Sequence, residues 1–340
     1  MGRGNPARTG VCQDALADSP ILLWRFEGQG AFQSEAAIAG GVVYVGTKKR
    51  LACAIDLATG AKRWETKLAG AIDAAPCVAD GRVYWADESG TLSCLDAAAG
   101  KTLWTYESDA ESHSSPACVD GRVYFGSYDQ SLHCLDATTS TLHWSFDTDG
   151  PVHCAPAIAD GRAYVAGCDS LLHAIDLATG EETWSLEMST YSAANPAVAD
   201  GVVYDGNYGG VVLAADAAKG EQLWEFDQGQ GDAFHSSCAV AADRVVVGCR
   251  DKKVYCLDRK SGTALWTFET KGDVDASPLI VGARVYVGSK DGTLYGLDLA
   301  TGEKRWEYVA GAPIVASAAC AGGRLVVGDL QGILYCFGTK

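Results

Sequence analysis

A tryptophan returns every 40 residues along this chain. Trp24, Trp64, Trp104, Trp144, Trp184, Trp224, Trp266 and Trp306 keep that spacing, apart from one gap of 42 before Trp266. Seven of the eight follow a turn that opens with Asp and closes four residues later with Gly or a substitute. The pairs are Asp56 and Gly60, Asp96 and Gly100, Asp136 and Ser140, Asp176 and Gly180, Asp216 and Gly220, Asp258 and Gly262, and Asp298 and Gly302. An Asp carboxylate accepts backbone N–H groups at the start of such a turn, and Gly supplies the positive φ that ends it. One aromatic anchor per unit at a period of about 40–45 residues is the mark of a β-propeller, whose repeats bury their apolar faces only against one another.

Each repeat divides into four strands. In the third, residues 116–119 form the innermost strand, 122–126 the second, 132–135 the third and 142–146 the outermost, which carries Trp144. Asp-Gly at 80–81, 120–121, 160–161 and 200–201 joins the first two strands, the strongest short signal for a type I′ hairpin. The two chain ends are defective in opposite ways. Residues 20–27 give a tryptophan strand with no preceding turn, and residues 334–337 stop where a turn and a tryptophan strand should follow. The expected fold is therefore all-β: one eight-bladed propeller of four-stranded antiparallel blades over residues 20–340, with the N-terminal strand completing the last blade and removing the exposed edge. Residues 1–19 show no periodicity and read as a mobile tail, so that deleting 1–17 should cost little. The eight repeating tryptophans read as structural wedges between blades, each worth at most roughly 4–6 kcal/mol of buried area. Trp85, the ninth, lies out of register in a second strand and reads as packed between sheets.

The pattern Ala/Leu-x-Asp-x-x-Thr-Gly-x-x-x-Trp is intact at residues 54–64 and 174–184. It resembles the tryptophan-docking motif of pyrroloquinoline-quinone-type propeller repeats. That superfamily holds quinoprotein alcohol dehydrogenases and the lipoprotein propeller of the bacterial outer-membrane assembly machine, so the resemblance implies the fold and leaves catalysis and binding both open. Catalytic relatives insert long active-site segments, carry a vicinal disulfide against the cofactor and work outside the cytoplasm. This chain holds its 40-residue period, has no two neighbouring cysteines and shows no apolar leader before residue 20. The resemblance is accordingly closer to the assembly-machine propeller. Quinoprotein oxidoreductase, with pyrroloquinoline quinone and calcium, stays as the alternative. Relatives of that kind hold calcium with acidic and amide side chains near the axis, and Glu35 and Asn195 are the residues here that could do so.

A net charge of −16 disfavours binding to nucleic acid or to anionic membrane surfaces, both of which call for Lys and Arg. No segment has the roughly 20 apolar residues of a membrane span. Thirteen cysteines, mostly in strand patterns such as Cys94, Cys134, Cys256 and Cys336, behave as small apolar residues, and repeat-equivalent ones lie too far apart to bridge. These features point to a reducing, cytoplasmic setting, or to the periplasm or exterior had a signal been removed. No hydrolase, zinc-protease, phosphate-loop or dinucleotide pattern occurs.

Alignment on the tryptophans exposes one informative slot. Nine residues after each anchor (eleven after Trp224) stand Gln33, Asp73, His113, His153, Ala193, His235, Asp275 and Val315. Half of the six histidines share this slot, which begins the innermost strand and should ring the mouth of the central channel. Gln33, Asp73, His113, His153, His235 and Asp275 are thus the expected ligand-facing rim, with no metal site, since only His113 and His153 lie on adjacent blades. Imidazoles near carboxylates should keep their protons to higher pH, so binding through the rim should change between about pH 5.5 and 7.5. Two residues further in, Glu35, Ala75, Ser115, Ala155, Asn195, Ser237, Ser277 and Ser317 suit a crowded axis. His133 and His173 read as sheet residues, and the basic loops at Lys48–Arg50 and Arg250–Lys253 as solvated turns. The expected function is a non-catalytic, monomeric scaffold disc, without a cofactor, that presents loops and a polar funnel to a protein or peptide partner.

Overall fold

The computed structural model describes residues 2–192 and 194–339. Among these, strands form eight sheets, one per blade, each built on four antiparallel strands that in blades one to seven run in chain order from the axis outwards. Blades one to seven span residues 37–67, 77–107, 117–147, 157–187, 197–227, 239–269 and 279–309. The eighth is composite: Ala319–Ala321, Arg324–Gly328 and Ile333–Gly338 come from the end of the chain, and Ile21–Glu27 pairs antiparallel with the last of them. The protein is an eight-bladed propeller closed by its N-terminal strand. Expected strands lie within two residues of those observed; blade three runs Ala117–Val119, Arg122–Gly126, Ser131–Asp136 and Leu142–Asp147.

Burial follows position in the ring. Second and third strands such as Arg122–Gly126 and Ser131–Asp136 are buried almost throughout, because a neighbouring blade covers each face. Outermost strands such as Leu142–Asp147 alternate between exposed and half-buried residues, as an edge facing solvent must. The Asp-Gly hairpins take the expected form, with φ of 50° at Asp120 and 74° at Gly121.

Blades are locked by their tryptophans. The indole Nε1 of Trp64 donates to Ala97 O of the next blade at 2.9 Å, and six other anchors repeat this bond at 2.9–3.3 Å. Gly100 is needed twice over: its φ is 68°, and a Cβ there would lie 2.5 Å from the Trp64 ring. Trp306 faces blade eight, whose third and outermost strands come from opposite chain ends and so have no connecting turn. Its ring instead meets Phe337 edge-on at 5.3 Å. Only Trp224, at 9% exposure, is buried among the eight, so each ring contributes less than the full-burial figure. Trp85 is fully buried and packs edge-on against Trp64.

The expectation of a mobile tail is corrected for most of its length. Pro6 O, Ala7 O, Thr9 O and Gly10 O accept from Ile158 N, Val198 N, Val240 N and Ile280 N, each at 2.8 Å. Val11–Cys12 then pairs parallel with the innermost strand of blade seven. The segment runs round the inner wall of the channel from blade four to blade seven, making one such bond per blade. The physical reason is the innermost strand itself. Its inner edge carries N–H groups with no strand beyond them, and unpaired backbone donors are costly. Positive φ at Gly4 and Gly10 lets the chain turn in the confined space. Residues 13–19 remain largely exposed. No helix among the described residues is long and apolar enough to cross a membrane.

Candidate functional site

A cavity of about 420 Å³ lies on the axis, lined by residues from blades all round the ring. Gln33, Asp73, His113, His153, His235, Asp275 and Val315 all line it, so the structure brings the expected rim together. Ala193, the remaining member of that slot, lies outside the described residues. The floor is made of Arg3 and Arg8 from the N-terminal segment.

The two rim carboxylates are held by cations. Asp73 Oδ2 lies 2.8 Å from His113 Nδ1 and 3.3 Å from Lys48 Nζ, and Lys48 also pairs with Glu88. Asp73, Glu88 and His113 offer ligand atoms within 4.8 Å of one another, and the Lys48 ammonium supplies the positive charge between them. Asp275 receives Arg250 in a two-point pairing at 2.8 and 3.1 Å and Lys290 at 2.9 Å. Burial alone would raise both carboxyls, but these partners hold each below the usual carboxylate range.

The histidines do not behave alike, which corrects the expectation that all would hold their protons. The hydrogen bond to Asp73 raises His113. Burial pushes His153 down to about 4, aided by the charges of His113 and His235, and its Nδ1 pairs with the Tyr128 hydroxyl at 3.0 Å. His235 is also lowered, by burial first. Of the three rim histidines only His113 is shifted upward, because among them only it hydrogen-bonds a rim carboxylate.

Sequence reasoning missed a second periodic slot. Lys48, Glu88, Tyr128, Cys168, Tyr208, Arg250, Lys290 and Leu330 follow the rim slot of their own blades by 15 residues. Lys48, Tyr128 and Arg250 each reach the rim residue of the next blade, 25 positions on. Lys48 and Arg250 are therefore partners of the rim carboxylates rather than solvated turns. The tryptophan alignment contained this signal, and the mixed chemistry of the slot concealed it.

Below the rim, the small residues form a belt. Ser115 Oγ accepts Ala75 N, Asn195 Oδ1 accepts Ala155 N, Ser237 Oγ accepts Asn195 N, Ser277 Oγ accepts Ser237 N and Ser317 Oγ accepts Ser277 N, at 2.6–3.0 Å. Each side chain thus ties the preceding blade's innermost strand to its own. Glu35 accepts the backbone N–H of Arg3 with both carboxylate oxygens, at 2.8 and 2.9 Å. Arg3 is only 2% exposed, and its guanidinium donates to Pro278 O and Cys238 O. These residues do not fit a calcium and quinone centre. Asn195 has its amide bonded on both sides, with Nδ2 donating to Ser237 Oγ at 3.0 Å, Glu35 is covered by Arg3, and two guanidiniums already stand at the axis.

His133 and His173 lie away from the funnel, buried between blades. Their Nε2 atoms sit 2.9 and 2.8 Å from Asp129 and Asp169, four residues back. Tyr255 and Tyr295 occupy the same strand position and make the same bond to Asp251 and Asp291, so the role is structural. All thirteen cysteines are unpaired.

Docked tryptophans on eight four-stranded blades define a propeller of the pyrroloquinoline-quinone-type repeat class. Within that class the chain belongs to the family described as outer membrane protein assembly factor BamB, whose model matches residues 15–116, 88–230 and 208–339. The crystal structure of BamB from Moraxella catarrhalis is similar, with a TM-score of 0.81 and 18% identity over 94% of this chain and 98% of that one. A quinohemoprotein alcohol dehydrogenase from Comamonas testosteroni superposes with a TM-score of 0.86 at 16% identity, over 98% of this chain and 79% of that one. The computationally designed Ika8 protein gives 0.80 at 20% identity, over 92% and 98% of the two chains. At such identities the likeness is one of fold, shared by BamB, an alcohol dehydrogenase and a designed protein. No curated protein matches the chain in sequence.

Proposed function

We propose that the protein is a non-catalytic binding platform whose funnel face receives a protein or peptide partner. One observation carries this reading. The funnel is floored by the protein's own N-terminal segment, and its carboxylates are already held: Asp73 by His113 and Lys48, Asp275 by Arg250 and Lys290, and Glu35 by Arg3. Among the described residues each of these carboxylates thus has a cation or N–H donor beside it, and a rigid, polar, concave surface is what a recognition disc offers. The description of the family as an assembly factor supports a partner-binding role, and the unpaired thiols fit a reducing compartment.

The alternative, a quinoprotein oxidoreductase, is supported by the likeness to the Comamonas enzyme and opposed by the residues around Glu35 and Asn195. Protein incubated with pyrroloquinoline quinone and calcium should show neither calcium-dependent retention of quinone on gel filtration nor dye-linked alcohol oxidation. Stoichiometric, calcium-dependent quinone with turnover would replace the present reading.

The rim is tested with a partner captured from the native cell. Substituting His113→Ala, His153→Ala and His235→Ala together should weaken binding by about tenfold or more in a folded protein. Any change of affinity between about pH 5.5 and 7.5 should vanish with His113→Ala alone, because His113 is raised while His153 and His235 are lowered. Unaltered affinity in the triple variant would remove the rim from the interface.

A further inference from the structure

The floor of the funnel holds one cation that the Glu35 charge reaches but that no acceptor among the described residues hydrogen-bonds. Arg8 is 5% exposed, and its backbone is fixed in the left-handed region at φ 56°. On either side of it, Ala7 O and Thr9 O bond the innermost strands of blades five and six, so its side chain is delivered to the axis and lines the cavity. Arg3 has its guanidinium on Pro278 O and Cys238 O and its backbone on Glu35. Arg8 has no such partners: its buried Nε is without an acceptor, and its guanidinium makes no hydrogen bond among the described residues. A buried guanidinium lacking acceptors is a costly arrangement.

The wall above it is rich in donors. Ser115, Ser237, Ser277 and Ser317 accept belt bonds through their hydroxyl oxygens, and none of them donates its own proton to a described residue. All four line the same cavity. The acidic groups facing that space, Asp73, Asp275 and Glu35, each have a cation or N–H donor of their own. The space therefore offers a two-pronged cation and several unused hydroxyl protons, while each of its carboxylates already has a cation or N–H donor. A planar group with two negatively charged oxygens complements that set, since guanidinium pairs with carboxylate through two parallel bonds.

We propose that the funnel floor is a carboxylate-binding site in which Arg8 is the anchoring residue and the belt serines supply further donors. The proposal rests on the reading of the funnel as the binding face and adds the chemistry recognised there. The carboxylate comes either from a free small acid or from the C-terminus of a peptide entering the funnel; a cavity of about 420 Å³ accommodates both.

The test is calorimetric titration of the full chain with succinate, with a free-acid tripeptide of alanine, and with the same tripeptide C-terminally amidated. At least one free acid should bind, and the amidated peptide should bind about 10- to 100-fold more weakly than its acid, or not at all. Binding of succinate identifies a free acid as the source, and binding of the free-acid peptide alone identifies a chain end. Arg8→Gln should lose about 10- to 100-fold of the affinity, and Arg8→Lys should lose less, because charge persists without the fork. In wild-type protein the Arg8 Nε–H resonance should move on titration with the bound acid, a readout that needs no variant to fold. Three results overturn the proposal: no acid binding at millimolar concentration, equal binding of acid and amide, or an unmoved Arg8 resonance. None of these depends on a cellular partner, so this proposal and the rim reading can fail separately.

Discussion

Deleting residues 1–17 is expected to lower stability by about 2–4 kcal/mol, between the costs of stripping a buried polar group and a buried charge of its partner. For a chain of 340 residues this corresponds to a fall of about 3–6 °C in the unfolding midpoint. The deletion removes four backbone bonds to the innermost strands and the donors that cover Glu35. Water entering the opened channel offsets part of the loss, which keeps the figure from being larger. A double-mutant cycle isolates the plug: Glu35→Gln should cost about 1.5–3 kcal/mol in the full chain and close to nothing in the truncated one. Deleting residues 1–27 removes Ile21–Glu27 as well and leaves the last blade with a bare edge, so no folded monomer is expected. Equal midpoints for the full chain and the 1–17 deletion would show that the plug contributes nothing.

Asp205→Val is expected to stabilise the protein by about 2–4 kcal/mol at pH 7. Asp205 is 1% exposed in the second strand of blade five; among the described residues Gly206 N donates to Oδ1, the Ser192 side chain lies close by, and Oδ2 has no partner. The same strand position holds Val45, Val165, Val247, Val287 and Val327 in other blades and Trp85 and Phe125 in two more, all buried. Burial raises the carboxyl of Asp205 to about 8, against about 4 in an unfolded chain. The folded state therefore holds the proton more tightly. Stability is greatest below pH 4, falls by up to about 1.4 kcal/mol for each unit between 4 and 8, and is then level. The gain from Asp205→Val should shrink accordingly when unfolding is measured near pH 4. A variant that is destabilised, or whose gain is the same at pH 4 and pH 7, would contradict the assignment of a buried, protonated carboxyl.

What the sequence revealed depended on periodicity. The tryptophans, the Asp-to-Gly turns and the Asp-Gly hairpins recur at fixed offsets, and the same offsets placed Gln33, Asp73, His113, His153, His235 and Asp275 around one cavity. Where side chains in one slot differ in chemistry, the period was present and the meaning was not. Lys48, Tyr128 and Arg250 look unrelated in sequence, yet each reaches the rim residue of the following blade. The direction of the histidine shifts needed distances, because one bond to Asp73 separates His113 from His153. Asp205 was visible as a polar residue in an apolar slot, although its cost could only follow from its burial. The N-terminal segment carried no signal of its own, since its partners are single backbone groups contributed by four separate blades.

The composite blade also sets an order of events during synthesis. Ile21–Glu27 is made early and finds its partner strand roughly 310 residues later, so the pairing is among the least local in the molecule. At ordinary rates of chain growth, tens of seconds separate the two. Throughout that interval Trp24 and the segment that will fill the channel have no completed ring to enter, while blades one to seven can form by short hairpins as they emerge. An early-made strand is thus among the last to be settled, and any chain arrested before Ile333 presents an open arc with a free edge at each end.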